Sequence, residues 1–425
     1  MTRRFAWLGI ASLFGIWSST LPAAAADSCR FIEHHATWWL SADCQTDHTL
    51  SIPQGVTLDG RGHRITAIDP PDGHFLGAIV RNAGTVAHVR NLIVDTRDLT
   101  DVCDSDTPPD QRLRGILFEG ASGSIVGNHV LDIGQGASAC QEGNAIDVRN
   151  APYDGTHPAT TQVKIWANRV ANYQKTGILV NGDVEADVAA NRVIGQGPID
   201  FIAQNGIQLG FGAFGQVHLN RIEQNLYSPG TFGSSGILLL SAGAPIDLVG
   251  NVIEDCDLGI ALESTSDARV RANRVRGTTD DGIGVYGAMA TASGNTISGN
   301  WLEDDHLGID IYGAGATNNT VARNWIVDSV GLGIQIGLGA ENLVLHNQVL
   351  RSGSFGVWAG ADGTRVIGNR VIDSEGVGMH VEGAQNVVSD NLVRASGDLD
   401  LENAGDNAYA NNRCGSSSGP PVDCP

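Results

Sequence analysis

An all-β chain is predicted, a right-handed parallel β-helix of about 13–14 coils with three short strands per coil. Three observations predict it: an Asn that recurs about every 23 residues, a Gly-aliphatic motif between successive Asn, and a composition rich in Gly and poor in charge. The Asn positions run from Asn91 through Asn128, Asn168, Asn191 and Asn220 to Asn412. From Asn251 the steps are 22, 27, 24, 23, 22, 22 and 21 residues. The second motif reads Gly177-Ile178-Leu179-Val180, Gly259-Ile260-Ala261-Leu262 or Gly308-Ile309-Asp310-Ile311, an alternation that belongs to a strand. Each unit thus holds one strand before Asn, one after it and one that begins at Gly. A unit this short cannot close a core alone, and stacking lets every strand pair with its equivalents above and below. At 4.7–4.9 Å per coil the stack is roughly 60 Å long. Asn251 to Asn391 are expected to point inward and form a ladder.

The elements follow in order. Residues 1–26 read as a secretory signal, with Arg3 and Arg4, an apolar stretch from Phe5 to Trp17, and Ala24-Ala25-Ala26 as a small-residue cleavage site. This places the protein in a secreted or periplasmic compartment, with no integral membrane segment after cleavage. Residues 27–49 precede the repeat, and Glu33 to Ala42 are expected to form a short amphipathic cap over the first coil. Residues 50–413 carry the coils. Residues 414–425 form a Ser-, Gly- and Pro-rich tail. Export favours disulfides. Cys29 with Cys44 and Cys414 with Cys424 would each staple one end. Cys103 with Cys140 would join two long loops, leaving Cys256 as a buried thiol.

The charge balance is 26 Lys+Arg against 47 Asp+Glu, a net −21, and only Lys164 and Lys175 are lysines. Such an acidic surface argues against a nucleic-acid partner. P-loop and H-E-x-x-H motifs are absent. Oligomeric state stays open.

Gly55-Val56-Thr57-Leu58-Asp59-Gly60-Arg61-Gly62-His63-Arg64-Ile65, followed by the repeat, resembles the first coil of the pectin-lyase-like superfamily of right-handed β-helices. The resemblance covers about 50–413 and implies the fold. For function it implies a polysaccharide partner bound along the Gly-initiated strands, by a lyase, C5-epimerase or glycoside hydrolase, or by a non-catalytic binder of glycan, envelope component or metal. No cofactor is required, although calcium has a place among the acids described next.

Insertions 95–114, 132–142, 194–205 and 222–235 enter the Gly strand and would wall one half of its face. Outward positions on that face read Asp147/Arg149, Ala261/Glu263, Gly284/Tyr286, Asp310/Tyr312, Gln335, Trp358 and Gly378/His380. Acids gather just before the Gly strand in successive coils: Asp255 and Asp257, Asp280 and Asp281, then Glu303, Asp304 and Asp305 with His306. They would crowd, which suits an acid/base pair, a calcium site or simple turn caps. The leading assignment is catalysis by Asp281, Asp305, His306, Asp280 and Asp310, with Glu263, Tyr286, Tyr312, Gln335 and Trp358 binding sugar. Asp280-Asp281 followed by His306 is loosely similar to polygalacturonases, without their Gly-His-Gly. A reserve site under the long loops holds Glu119, Asp147, Arg149, Tyr173 and Lys175. It suits a reaction that removes a proton beside a sugar carboxylate.

Overall fold

β-Branched and aliphatic residues at alternate positions favour short extended segments whose one face is apolar. These segments pair coil over coil into three parallel sheets. The computed structural model describes residues 29–102, 111–150, 159–230, 233–419 and 424. Strands that precede the repeating Asn form sheet 1, of 16 strands; those that follow it form sheet 2, of 14; those that begin at or near the repeating Gly form sheet 3, of 15. The result is a parallel β-solenoid of about 13 turns. The sheets enclose one continuous apolar core, with columns such as Ile178, Ile207, Ile237, Ile260, Ile283 and Ile309 fully buried. Burying each such side chain is worth about 1.5–3 kcal/mol.

The Asn ladder is present. Asn300 shows its bonding. Its backbone N–H and Nδ2 donate to Asn324 Oδ1 at 3.0 and 2.9 Å, and Nδ2 also donates to Val270 O at 2.9 Å. Its own Oδ1 accepts both donors of Asn273. The pattern runs from Asn128 to Asn412. Asn91 does not belong to it. Leu92 occupies the ladder position, where its N–H donates to Asn128 Oδ1, while Asn91 is exposed at φ 52° in the turn. A second ladder goes beyond the sequence expectation: Asn295, Asn319 and Asn342 chain together at another corner, and Asn386 and Asn407 continue it beyond Thr364.

The repeating Gly has a steric cause. A Cβ at Gly177 would lie 2.5 Å from Val193 Cγ1 and 2.7 Å from Gly206 O, because sheets 2 and 3 meet closely at that corner. A third interior column lies beside it, made of Cys256, Thr278, Asp305, Ser329, Ser352, Ser374 and Ser396.

The amphipathic cap is a β-hairpin. Phe31–His34 pairs antiparallel with Thr37–Leu40, which then pairs parallel with Thr57–Asp59 and so covers the first edge of sheet 1. Cys29–Cys44 and Cys414–Cys424 are disulfides, and Cys256 is a buried free thiol pushed up to about 12 by burial. Cys140 is disulfide-bonded. Cys103, assigned to it from the sequence, and the leader 1–26 lie outside the described residues. Two of the expected insertions are extended strands: Arg192–Ile199 and Arg221–Tyr227 pair with each other across a register shift. Among the described residues no helix is long and apolar enough to cross a membrane.

Candidate functional site

Sheet 3 carries both groups of residues singled out from the sequence, about six coils or roughly 29 Å apart. The group under the long loops lines a cavity of about 470 Å³. Its floor is the outward face of Asn144–Asn150, Thr176–Gly182 and Asn205–Gly210. Four cationic side chains, Arg112, Arg114, Arg149 and Lys175, meet one carboxylate there, Asp147. In a chain of net charge −21 this is a local reversal of sign.

Asp147 is 1 % exposed and holds the floor together. Its Oδ2 accepts from Arg114 Nε at 2.5 Å and Asn144 Nδ2 at 3.3 Å, and lies 3.5 Å from Arg149 Nη2. Burial lowers the Arg114 pKa, opposed by the Asp147 charge. Arg149 is the unusual member. It is 6 % exposed, yet neither Nε nor Nη2 makes a hydrogen bond. Asn144 Oδ1, Asp147 Oδ1 and Asn181 Oδ1 are also buried without partners. Leaving such groups unpaired costs about 1–3 kcal/mol each, so the floor favours any molecule entering the cavity, water included, that supplies partners. Lys175 Nζ donates to Ala203 O at 2.6 Å, and burial pulls its pKa down to about 8. Phe211, 56 % exposed, stands at the rim. The sequence reading did not select Arg114, Asn144 or Phe211. Two reserve residues lie elsewhere: Tyr173 is fully buried in the core, donating to Asn225 Oδ1 at 2.5 Å, and Glu119 pairs with Arg81 at 3.1 Å.

The acidic coils fan out rather than converge. Asp257 caps a turn, accepting from Tyr227 N, Ser234 N and Thr279 Oγ1. Asp255 sits at φ 52° in the turn. Glu303 and Asp304 pair with Arg274 and Arg276 over sheet 2. Asp305 points inward: 1 % exposed, it accepts from Thr278 N and Oγ1 at 3.0 and 2.9 Å, and its Oδ2 lies where a Cβ on Gly282 would sit 2.8 Å away. His306 is exposed while Asp305 is buried, and the charge of His306 acts on Asp280.

Asp281 and Asp310 do face outward together. Tyr286 folds back over Gly284 and donates to Asp281, which is why no side chain fits at 284. Burial first, and then neighbouring carboxylates, push Asp310 up to about 8. Asp281 is pushed up to about 7 by burial, against the Tyr286 hydrogen bond. Asp280 and Glu263 are also raised by burial. In the neighbouring column Glu263, Tyr286 and Tyr312 are in register, and Gln335, Trp358 and His380 continue the Asp310 column. His380 thus pairs with Trp358, whereas Gly378 lies at the corner with the other repeating glycines. Among the described residues no group of three or more His, Cys, Asp or Glu is placed to hold a metal ion.

No curated protein matches the chain by sequence. Among solved structures, a double mutant of the periplasmic alginate epimerase AlgG is 11 % identical, with 89 % of this chain and 78 % of that one covered at a TM-score of 0.46. The catalytic unit of a thermostable GH87 α-1,3-glucanase from Streptomyces thermodiastaticus is 15 % identical, covering 91 % and 64 % at 0.41. The A-module of the Azotobacter vinelandii mannuronan C-5 epimerase AlgE4 is 14 % identical, covering 90 % and 88 % at 0.37. Residues 114–301, 177–350 and 259–418 match the family described as "Right handed beta helix region". Those matches span more than half of the sequence, and the ladder, the three parallel sheets and the repeat they describe are those seen here: the chain belongs to the right-handed β-helix family.

Proposed function

We propose that the protein is an exported enzyme acting on a uronate-containing polysaccharide, with its reaction in the cavity under the long loops. The single observation that carries this reading is Arg149. A buried guanidinium whose Nε and Nη2 make no hydrogen bond, with only a long 3.5 Å ion pair from Nη2 to Asp147, lies beside Arg114 and Lys175 and suits a planar carboxylate that accepts two parallel N–H bonds. The disulfides and the leader-like start support export.

The chemistry follows from charge. A carboxylate held at Arg149 has its charge neutralised, which acidifies the C–H beside it. Neutral Lys175 Nζ takes that proton, and the bonding electrons move into the carboxylate as an enediolate. Either the electrons then expel the oxygen at C4, which must be protonated as it leaves, or a proton returns on the opposite face. The first outcome is a lyase and the second an epimerase. Asn181 and Gln208 on the cavity floor suit sugar hydroxyls, and Phe211 suits a ring face.

A panel of acidic polysaccharides separates the outcomes. New reducing ends with unsaturated uronate absorbance mean a lyase; proton exchange at C5 without cleavage means an epimerase. Arg149→Gln is expected to lower kcat/KM at least a hundredfold. Binding of acidic polymer without turnover would make the protein a non-catalytic binder. Activity confined to neutral polymers would overturn the reading.

A further inference from the structure

The acidic half of sheet 3 is left without function by that reading, and it is chemically the opposite of the cavity. Strands of this sheet from Asn205 onward contain no Arg or Lys. The nearest cations on sheet 2, Arg274 and Arg276, are already paired with Glu303 and Asp304. Among the described residues Asp281, Asp310 and Glu263 therefore have no cationic partner, while Asp280 is offset only by the exposed His306. Asp310 is the informative one. It is 7 % exposed and sits in an outward column, its Oδ1 is buried without a partner, and neither of its oxygens accepts a hydrogen bond. The ionised carboxylate in that position lacks a donor, and a cation seated against it would favour that form over the protonated one that burial favours.

Flat aromatic surface adjoins it. Tyr312, 44 % exposed, lies against Gly337, and Trp358 leans on Gly360, so close that a Cβ at either Gly would meet the ring at about 3 Å. Rings laid on a glycine row present faces rather than edges, and such faces stack on pyranose rings.

The geometry points to a second ligand site here, in which Asp310 and Asp281 receive the ammonium of an amino sugar whose ring stacks on Tyr312. A divalent cation is the rival occupant, but no three acidic or imidazole groups among the described residues are placed to ligate one. An ammonium brings three donors, needs fewer partners, and supplies what Asp310 lacks. The site does not depend on the reaction assigned to Lys175. Where both readings hold, the same groove takes a glycan with carboxylates at one end of the contact and amino groups at the other.

Calorimetry on the intact protein at neutral pH and low salt tests it, with a glucosamine tetramer and its fully N-acetylated counterpart as probes. The free amine is expected to bind at least about tenfold more tightly, because acetylation removes the charge and leaves the ring. Asp310→Asn should abolish that difference, whereas Arg149→Ala should leave it intact. Equal binding of the two tetramers by the wild-type protein overturns the inference without any variant having to fold. Displacement of the amine by millimolar calcium overturns it too, since the site would then be a metal site.

Discussion

Individual residues on this scaffold differ in which way the corner turns them. Asp281 and Asp305 both lie shortly before a Gly-Ile strand, yet Asp281 is on the groove side, covered by Tyr286, and Asp305 lies inside the column of Thr278 and Ser329. Burial pushes Asp305 up to about 7 in the folded chain, from an ordinary value of 3.8. A raised carboxyl pKa means that the folded state binds the proton more tightly than the unfolded one. Its contribution is therefore present below about pH 4 and is lost as pH rises through about 7. Each tenfold difference in proton affinity between the two states is worth about 1.4 kcal/mol, so Asp305→Asn should gain stability relative to wild type by a few kcal/mol between pH 5 and pH 8. Denaturant midpoints at the two pH values decide it, and an unchanged difference would mean an ionised Asp305 throughout. Lys175 has the converse shift, down to about 8. If it is the base, kcat/KM rises with pH and levels off above about 8; Lys175→Ala should remove both the activity and that limb. The inward turn of Asp305 was not legible because pairing within a corner is set by which side chains the adjacent coils supply.

Elements are decided by ladders. Removing Asn300 leaves the donors of Asn273 and the carbonyl of Val270 unpaired inside the core, and each orphan costs about 1–3 kcal/mol. Asn300→Ala should therefore destabilise by about 3–9 kcal/mol in a denaturant titration. Asn91→Gly, which keeps the left-handed turn that Asn91 adopts at φ 52°, should change stability by about 0.5 kcal/mol or less. Equal losses at the two positions would contradict the placement of Leu92 in the ladder. This contrast marks the limit of reading a repeat: the period makes the two Asn look equivalent, but the first coil is shifted by one residue, and only register shows it. The second ladder through Asn295, Asn319 and Asn342 is written in the sequence at spacings of 24 and 23. It stays hidden there because the first ladder already accounts for the period.

At the scale of the whole molecule, the solenoid is stabilised by nearest neighbours, so its ends carry the risk. The hairpin Phe31–Leu40 covers the first edge of sheet 1 and is tied down by Cys29–Cys44. Replacing both cysteines by Ser should lower Tm by a few degrees and increase self-association in gel filtration, because a loosened hairpin exposes unpaired strand edge. A monomer of unchanged Tm would assign edge protection elsewhere. The groove is polarised along the axis, cationic over the first coils and acidic beyond Glu263. Binding of charged glycan at either end should weaken as salt is raised, most steeply below about 0.15 M, where the Debye length shrinks to about 8 Å.

By itself the sequence determined the solenoid, the three strands per coil, the inward Asn, the terminal disulfides and the buried Cys256. These depend on period and alternation, which are one-dimensional properties repeated coil after coil. Only the tertiary structure decided where a ligand fits. Arg114, Asn144, Arg149 and Lys175 are spread over 62 residues and three coils, and nothing in their spacing shows that Asp147 gathers the first three or that two nitrogens of Arg149 make no hydrogen bond. The acids that look gathered in the sequence are dispersed for the same reason: stacking fixes which residues are neighbours, while the corner between two sheets fixes whether each one faces the core, the groove or solvent.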